Sequence, residues 1–284
     1  MFRVSIVISL FCLVIMGSGP GFVIPAGEFN DLVKYRLKGK VKIVKETRYV
    51  LSGNDKDAGK ERLVYQKDIY FDENGYETEN ILYEGGKAYL ASKYLFGPSG
   101  KQSELNEYKS DGTLNLNVVY GYDEKGYRTE ALYHWADNYD IGEICENTDY
   151  YHEIIQNDIF SKVIFQNEYR GFCVREDYLK FNGDLSFRLT SRYDFRGNKT
   201  ESAYFHGNER LSWITKNKYD RYDNLVESRV YKSNRIAVFS TYEYQFDDNG
   251  NWISRRGKRQ VHVNILTAGL EKADMLTERT IEYY

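Results

Sequence analysis

Two pairs of acidic residues within residues 134–168 are candidates for acid–base chemistry: Glu143 with Glu146, and Asp149 with Glu153. Two carboxyl groups can hydrolyse a glycosidic bond when a cleft holds them about 5–10 Å apart. Nothing in the sequence marks such a cleft, and acids interspersed with basic residues usually form surface salt bridges. The pairs therefore favour surface salt bridges, and a carbohydrate-active enzyme with its acids in this segment is the alternative.

The four histidines are the next candidates for chemistry, but they are not spaced as metal ligands. No His-x-x-x-His or Cys-x-x-Cys spacing occurs in the sequence, and such spacings are typical of metal sites. Two histidines flank residues 134–168, where Asp137, Asp140 and Asp149 also lie. We expect ordinary surface histidines, with a metal site near this segment as the alternative. The four are His134, His152, His206 and His262.

One short stretch partly matches a calcium-binding loop: Asn54, Asp55, Asp57 and Gly59. The acidic residue that closes an EF-hand loop is absent, and the stretch falls where a turn is due, so a plain turn is favoured. Motifs for serine hydrolases, P-loop nucleotide binding, zinc proteases and dinucleotide binding do not occur in the sequence. The sequence therefore predicts neither an enzyme nor a bound cofactor.

The composition is that of a β-rich protein with no preference for nucleic acid. The 284 residues include 39 Lys plus Arg and 42 Asp plus Glu, for a formal net charge of −3. This balance argues against a protein whose main role is to bind nucleic-acid phosphates. There are 27 Tyr and only 3 Pro, and tyrosine is enriched in strands whereas proline interrupts them.

A turn with Asp at one position and Gly three residues later recurs along the chain. Its Asp and Gly positions are Asp72 and Gly75, Asp123 and Gly126, Asp194 and Gly197, Asp220 and Asp223 (Asp replacing Gly), and Asp247 and Gly250. Weaker copies end at Gly100 and Gly171, and the steps are 25 to 27 residues except across residues 134–168. This chemistry suits a type I turn that ends in a left-handed residue.

A second series of turns lies between the first: Gly86, Gly112, Asn157, Gly183, Asn208, Asn234 and Gly257. Two turns per period leave roughly 9–10 residues for each strand. Residues 238–245 alternate as a strand should, and a short helix within 27–34 is expected before the first strand. Residues 134–168 are expected to be an irregular insertion.

The predicted fold is all-β, a long antiparallel meander of tandem hairpins. Tyr occurs on both faces of the strands together with charged residues, which argues against a two-layer sandwich with one apolar face per sheet. We expect a single twisted or coiled sheet, with a closed barrel as the alternative, because open sheets of more than about ten strands usually curl or close.

Four basic residues surround the turn predicted at Gly257: Arg255, Arg256, Lys258 and Arg259. In an acidic chain, a basic cluster at a turn is usually a solvated hairpin tip. Binding to an anionic polymer or a lipid headgroup is the alternative. Replacing all four residues by Ala and measuring retention on heparin or anionic liposomes would distinguish the two.

The amino terminus has the layout of a secretory signal peptide. Arg3 precedes an apolar run at residues 4–16, and small residues follow. The run is shorter than the roughly 20 residues that span a bilayer. We expect cleavage between residues 19 and 27, which leaves one repeat domain at 28–284 in the periplasm or at the cell surface. Phe11 precedes Cys12 where a lipoprotein signal needs a small residue, so lipid anchoring is not favoured.

Two cysteines remain after signal removal, Cys145 and Cys173, 28 residues apart. An exported protein meets an oxidising compartment, in which such a pair can bridge. One period separates them, which places them on strands about 9.6 Å apart in a flat meander. That separation exceeds the roughly 7 Å limit for a disulfide. We expect two unpaired cysteines, with a bridge as the alternative; mass spectrometry under non-reducing conditions distinguishes them.

The Tyr-Asp-x-x-Gly turns at this spacing resemble YD repeats, the β-hairpin units of Rhs and teneurin-type shells. The chain is more similar to uncharacterised exported bacterial proteins with tandem hairpins, which have segments like residues 37–42 and 278–284 and a Gly-Asn-Trp turn like 250–252. This resemblance covers about residues 30–284. It implies a hairpin-repeat fold and an envelope location, and it implies no catalytic residues. Rhs shells cleave and enclose a C-terminal cargo with an Asp-Pro-containing segment, and no Asp-Pro pair occurs in this sequence, so a toxin-encapsulating role is not favoured.

The sequence thus favours a non-enzymatic exported protein of the cell envelope. Its Tyr-rich sheet would bind another envelope protein or a glycan, because aromatic rings supply a large contact area at low entropic cost. The edge strands of an open sheet could pair between copies, so the oligomeric state stays open.

Overall fold

A computed structural model describes residues 31–52, 59–136, 160–261 and 274–284. In the described part, no helix is long and apolar enough to cross a membrane. Several predictions fall on residues outside these ranges and stay predictions. They concern the signal peptide, residues 54–57, both acidic pairs, Cys145, His152, Asn157 and His262.

The described chain consists of a short helix, α1 (Asp31–Tyr35), followed by strands. The first eight strands are β1 (Val41–Ser52), β2 (Gly59–Phe71), β3 (Glu77–Glu84), β4 (Lys87–Phe96), β5 (Gln102–Lys109), β6 (Leu114–Tyr122), β7 (Arg128–Trp135) and β8 (Lys162–Asn167). The others are β9 (Cys173–Leu179), β10 (Leu185–Tyr193), β11 (Lys199–His206), β12 (Leu211–Tyr219), β13 (Leu225–Lys232), β14 (Arg235–Phe246), β15 (Trp252–Val261) and β16 (Met275–Tyr283).

The strands form one closed antiparallel barrel in which each strand pairs with the next. The last strand returns to the first, with β16 and β1 paired from Val41 opposite Tyr283 to Val50 opposite Met275. The predicted meander is confirmed, and its closure is the alternative that the sequence left open. Among the described strands closure leaves no free edge, which removes the edge-to-edge pairing considered for a dimer.

The two faces of the sheet differ more than the mixture of Tyr and charge suggested. Inward-facing side chains form an aromatic and aliphatic core along β5 to β12. Tyr178 stacks on Phe187 and Tyr204 on Trp213, each with ring centroids 4.0 Å apart. Both pairs lie directly opposite each other on neighbouring strands. Cross-strand aromatic pairs of this kind contribute about 0.5–1.5 kcal/mol beyond their buried area.

The turns that carry the Asp and Gly positions all lie at one end of the barrel, which we call the glycine rim. In the first copy the Asp72 carboxylate accepts the backbone N–H groups of Asn74 and Tyr76, both at 2.9 Å. Gly75 has φ +85°, and Asp223 adopts φ +67° in the copy that lacks glycine. A left-handed residue closes such a turn, and glycine adopts that conformation without strain.

The structure corrects the sequence analysis at two places along the chain. Gly257 lies inside β15 rather than at a turn. Strands β14 and β15 have 12 and 10 residues, so β15 continues past the position at which the repeat spacing predicted a turn. The four basic residues around Gly257 are therefore in a strand and not at a hairpin tip. Within the predicted insertion, residues 162–167 form the regular strand β8.

Candidate functional site

Helix α1 crosses the mouth of the barrel at the glycine rim. The backbone N–H of Leu32 donates to the carbonyl of Gly75 in the β2–β3 turn, at 3.2 Å. The guanidinium of Arg36, one residue after the helix, donates to the side chain of Asn198 in the β10–β11 turn. These turns are eight strands apart in a ring of sixteen, so they lie on opposite sides of the mouth. The segment from Asp31 to Lys38, which we call the plug, therefore spans the opening.

The plug is anchored on the buried carboxylate of Glu77, which is 1% exposed. Glu77 accepts a hydrogen bond from the hydroxyl of Tyr35 at 2.7 Å and pairs with Lys34 at 3.1 Å. Its backbone N–H donates to the carboxylate of Asp31 at 2.7 Å. Burial opposes ionisation of Glu77, but the charges of Lys34 and Lys67 outweigh it and lower its pKa. The carboxylate stays charged at neutral pH and holds the helix in the mouth.

A cavity of about 560 Å³ opens beside the plug, and we call it the rim pocket. Two neighbouring turns of the glycine rim, β12–β13 and β14–β15, form its opposite wall. Its size falls within the range of small-molecule sites, which are mostly apolar with a few polar groups. The apolar walls are the side chains of Val33, Leu37, Tyr222, Phe246 and Trp252, and the polar residues are Arg36, Lys38, Asp223 and Asn224.

Hydrogen bonds hold the polar groups of the rim pocket in place. The carboxylate of Asp223 accepts from the side chain of Asn198 at 2.7 Å and pairs with Arg196 at 3.0 Å. The guanidinium of Arg36 lies 5.3 Å from the ring centre of Tyr219. Burial lowers the pKa of Arg36, and the neighbouring Tyr219 and Asp223 oppose that shift. The pocket thus presents fixed donors and acceptors beside aromatic walls, an arrangement suited to binding.

Exposed aromatic side chains continue from the rim pocket along the glycine rim. Phe246 and Tyr222 are 47% and 67% exposed, and Phe195 and Tyr169 on the next two turns are 82% and 88% exposed. A row of exposed apolar side chains on neighbouring turns is more informative than a single one, because extended apolar patches mark interaction sites. The rim pocket is therefore one end of a longer aromatic edge.

The predicted turn positions are divided around the glycine rim. Asp220, Asp223, Asp247 and Gly250 belong to the two turns that border the rim pocket. Asp72 and Gly75 form the turn that binds α1, whereas Asp123, Gly126, Asp194 and Gly197 form turns farther along the rim. The short helix before the first strand was expected from the sequence, but its position across the mouth and the exposed aromatic residues were not. The signal that could have found the latter is the aromatic residue inside the turn, as at Phe195 and Tyr222.

His134, His206 and Cys173 do not join the rim pocket. His134 lies near the end of β7, and the ring of His206 packs edge-on against Tyr204 at 5.3 Å. Cys173 begins β9 inside the barrel, where burial raises the pKa of its thiol to about 12. Within the described ranges, no three His, Cys, Asp or Glu side chains are arranged to hold a metal ion.

The fold and the pocket together define a sixteen-strand antiparallel barrel with a helical plug in one mouth. No family model matches the chain, and no curated protein matches it. A porin-like protein from Bacteroides uniformis is similar in structure, with a TM-score of 0.51 and 10% sequence identity over 86% of this chain and 98% of that one. A porin-like protein from Bacteroides vulgatus has a TM-score of 0.43 and 11% identity over 86% and 99%.

At this identity, the likeness to the Bacteroides uniformis protein shows the fold alone. It supports an all-β antiparallel architecture built from successive hairpins. Since no family model matches, the resemblance to YD-repeat proteins stays a prediction.

Proposed function

We propose that this chain is an exported, non-enzymatic protein of the cell envelope that stays in its aqueous part and binds a glycan at the rim pocket. The observation that carries the first half of this proposal is the charged outer wall of the barrel. The aromatic walls and fixed polar groups of the rim pocket carry the second half.

Pairs of opposite charge join neighbouring strands on the outside of the barrel. Each pair lies beside inward-facing residues: Glu79 precedes the buried Asn80, and Asp177 precedes the buried Tyr178. Since side chains alternate along a strand, these charges point outward. The pairs are Lys45 with Glu282, Glu79 with Lys93, Glu130 with Lys162, Asp177 with Arg188, Glu201 with Lys216, and Glu227 with Lys218.

This outer wall is the opposite of what a bilayer requires. A membrane-spanning barrel has an outward apolar band about 25 Å tall, and each Lys or Arg at its midplane costs about 2–4 kcal/mol. Six charged pairs distributed from β1 to β16 would make such insertion strongly unfavourable. The likeness to the porin-like protein from Bacteroides uniformis therefore supports the barrel architecture of this chain, whereas the charged outer wall supports a location in water.

The rim pocket has the two features that a sugar ring requires. The C–H faces of a sugar pack against aromatic rings, here those of Tyr222, Phe246 and Trp252. Its hydroxyl groups need fixed donors and acceptors, here those of Arg36 and Asp223. The exposed rings of Phe195 and Tyr169 extend the aromatic surface beyond the pocket, so a chain of several sugars fits better than a single one.

We expect the exported chain to be released with the soluble envelope contents on osmotic shock and to be monodisperse without detergent. The charged outer wall is the reason, because it is compatible with water and not with lipid. A known outer-membrane porin, fractionated in parallel, serves as the control and should stay with the membranes. Resistance to alkaline extraction together with stepwise conductance in planar bilayers would contradict the aqueous location.

We expect the double variant Phe246→Ala, Tyr222→Ala to lose about tenfold or more in affinity for any oligosaccharide that binds the wild type on an array of bacterial surface glycans. Stacking on these two rings supplies much of the expected contact. Both side chains are exposed, so the fold should be unaffected. The matched control is Phe181→Ala, which removes an aromatic ring that is 70% exposed at the opposite rim. Absence of wild-type binding, or an equal loss in the control, would refute the glycan assignment.

A further inference from the structure

Three arginine side chains meet on the inner face of the barrel where the last strands join the first. Thr277 on β16 lies directly opposite Arg255 on β15 and Arg48 on β1, so the two arginines flank one buried threonine. Arg48 donates to the hydroxyl of Thr277 at 3.3 Å. Arg279 lies two residues along β16 on the same face. We call Arg48, Arg255 and Arg279 the arginine cluster.

These three cations surround a single described carboxylate, that of Glu46 on β1. Glu46 accepts from Nε of Arg279 at 2.8 Å, and all three arginines act electrostatically on it. Lys67, opposite Glu46 on β2, adds a fourth cation. The carboxylate of Glu77, which also acts on Lys67, is already paired with Lys34. Positive charge therefore exceeds negative charge at this point of the inner wall.

Aromatic faces hold the guanidinium groups in position. The guanidinium carbon of Arg279 is 3.4 Å from the ring centre of Trp252, and that of Arg255 is 5.2 Å from the same ring. The guanidinium of Arg48 is 4.7 Å from the ring centre of Tyr65. Stacking of this kind engages the face of a guanidinium and leaves its N–H edge available for an oxyanion.

One of the N–H groups of the arginine cluster has no acceptor in the described part of the chain. Nη1 of Arg279 is buried without a hydrogen-bond acceptor, and the side chain of Arg279 is only 9% exposed. Arg48 and Arg255 also face inward and are half-buried, so part of each side chain is accessible to solvent. Burial lowers the pKa of Arg279 and the charge of Arg255 lowers it further, while Glu46 opposes both effects.

We propose that the arginine cluster binds an oxyanion, the phosphate or carboxylate group of a small ligand inside the barrel. Guanidinium forks match the geometry of both groups and form charge-assisted hydrogen bonds with them. This site goes beyond the glycan pocket and shares only the Trp252 side chain with it. It also replaces the alternative drawn from the sequence for Arg255 to Arg259. Strand alternation turns Arg255 inward and Arg256 outward, so the anion is internal and small rather than a surface polymer or lipid headgroup.

Calorimetric titration of the folded wild type with inorganic phosphate and, separately, with succinate at constant ionic strength tests the site. We expect saturable binding of at least one probe, and the probe that binds identifies the group as phosphate or carboxylate. Arg255→Gln should weaken this binding by about tenfold or more. Arg48→Gln should have the same effect and serves if Arg255→Gln does not fold.

The matched control is Arg256→Gln, which changes the next residue of the same strand on the outer face. We expect it to leave the affinity within about twofold of the wild type, since it faces away from the cluster. The variant without Phe246 and Tyr222 rings should also bind the probe normally, which separates this site from the rim pocket. No saturable binding of either probe to the wild type, or equal weakening in Arg256→Gln, would overturn the proposal.

Discussion

We expect Glu46→Gln to lower the free energy of unfolding by about 3–5 kcal/mol at pH 7. Glu46 is 8% exposed and accepts hydrogen bonds from Arg279 and from the hydroxyl of Tyr65. Glutamine preserves the shape of the side chain but removes the negative charge that balances the arginine cluster. The buried Arg279 is then left without its carboxylate, which is among the most destabilising changes that a single substitution can make.

The effect of this substitution should depend on pH in a defined way. Burial opposes ionisation of Glu46, but Arg279, Arg48 and Arg255 outweigh it and lower its pKa to about 2. In the unfolded chain the pKa returns to about 4.3. A lowered pKa in the folded state gives stability that is fully present above pH 4.3 and is lost as the pH falls toward 2. The difference between wild type and variant should therefore shrink across this window.

Urea unfolding at pH 7, 4 and 3 measures both parts of this prediction. Glu282→Gln is the matched control, because Glu282 forms an outward ion pair with Lys45 in which both side chains are 45% exposed. Exposed pairs contribute about 0–1 kcal/mol, so the control should change little. Equal stability of Glu46→Gln and the wild type at pH 7 would show that the cluster does not depend on this carboxylate.

The hairpin order of the fold could be predicted because the responsible residues act locally. An Asp whose carboxylate caps its own turn and a Gly with positive φ determine where the chain reverses, as at Asp72 and Gly75. Alternation between such turns is sufficient to predict strands. The prediction at Gly257 was wrong because a glycine inside a long strand cannot be distinguished from a turn glycine by spacing alone.

Closure of the sheet could not be settled from the sequence. Pairing of β1 with β16 joins residues more than 200 positions apart, as in the bond between Arg48 and Thr277, and barrel closure depends on strand tilt and stagger along the whole sheet. The candidate sites could not be predicted for the same reason, because they join residues that are far apart in the sequence. Arg36 contacts Asn198 across the mouth, and the arginine cluster forms only when three strands from both ends of the chain are adjacent.

The three segments that carry the resemblance to exported hairpin proteins meet at this seam. Lys38 belongs to the first segment, Asn251 to the Gly-Asn-Trp turn and Tyr283 to the last strand. Asn251 is 1% exposed. It accepts the backbone N–H of Lys38 at 2.7 Å and donates to the carbonyl of Lys38 at 3.0 Å and to the hydroxyl of Tyr283 at 2.8 Å. One amide side chain thus ties the plug to the closing strand.

We expect Asn251→Ala to lower the free energy of unfolding by about 3 kcal/mol, since it removes three hydrogen bonds of a buried amide at about 1 kcal/mol each. Urea unfolding measures the loss. Asn251→Asp should fall in between, because the carboxylate still accepts from Lys38 but cannot donate. The matched control is Asn182→Ala, because the amide of Asn182 bonds to Asp184 within its own exposed turn; this variant should change stability by less than about 1 kcal/mol.

Hydrogen exchange separates a seam that opens from a barrel that is weakened as a whole. If Asn251 acts as the clasp between plug and closing strand, the amide of Lys38 should exchange much faster in Asn251→Ala under conditions in which the amides of the β9–β10 pair remain protected. The β9–β10 pair lies far around the ring, in the aromatic core. Equal acceleration of both sets of amides would mean that Asn251 stabilises the barrel globally. Unchanged exchange at Lys38 would show that Asn251 does not hold the plug to the closing strand.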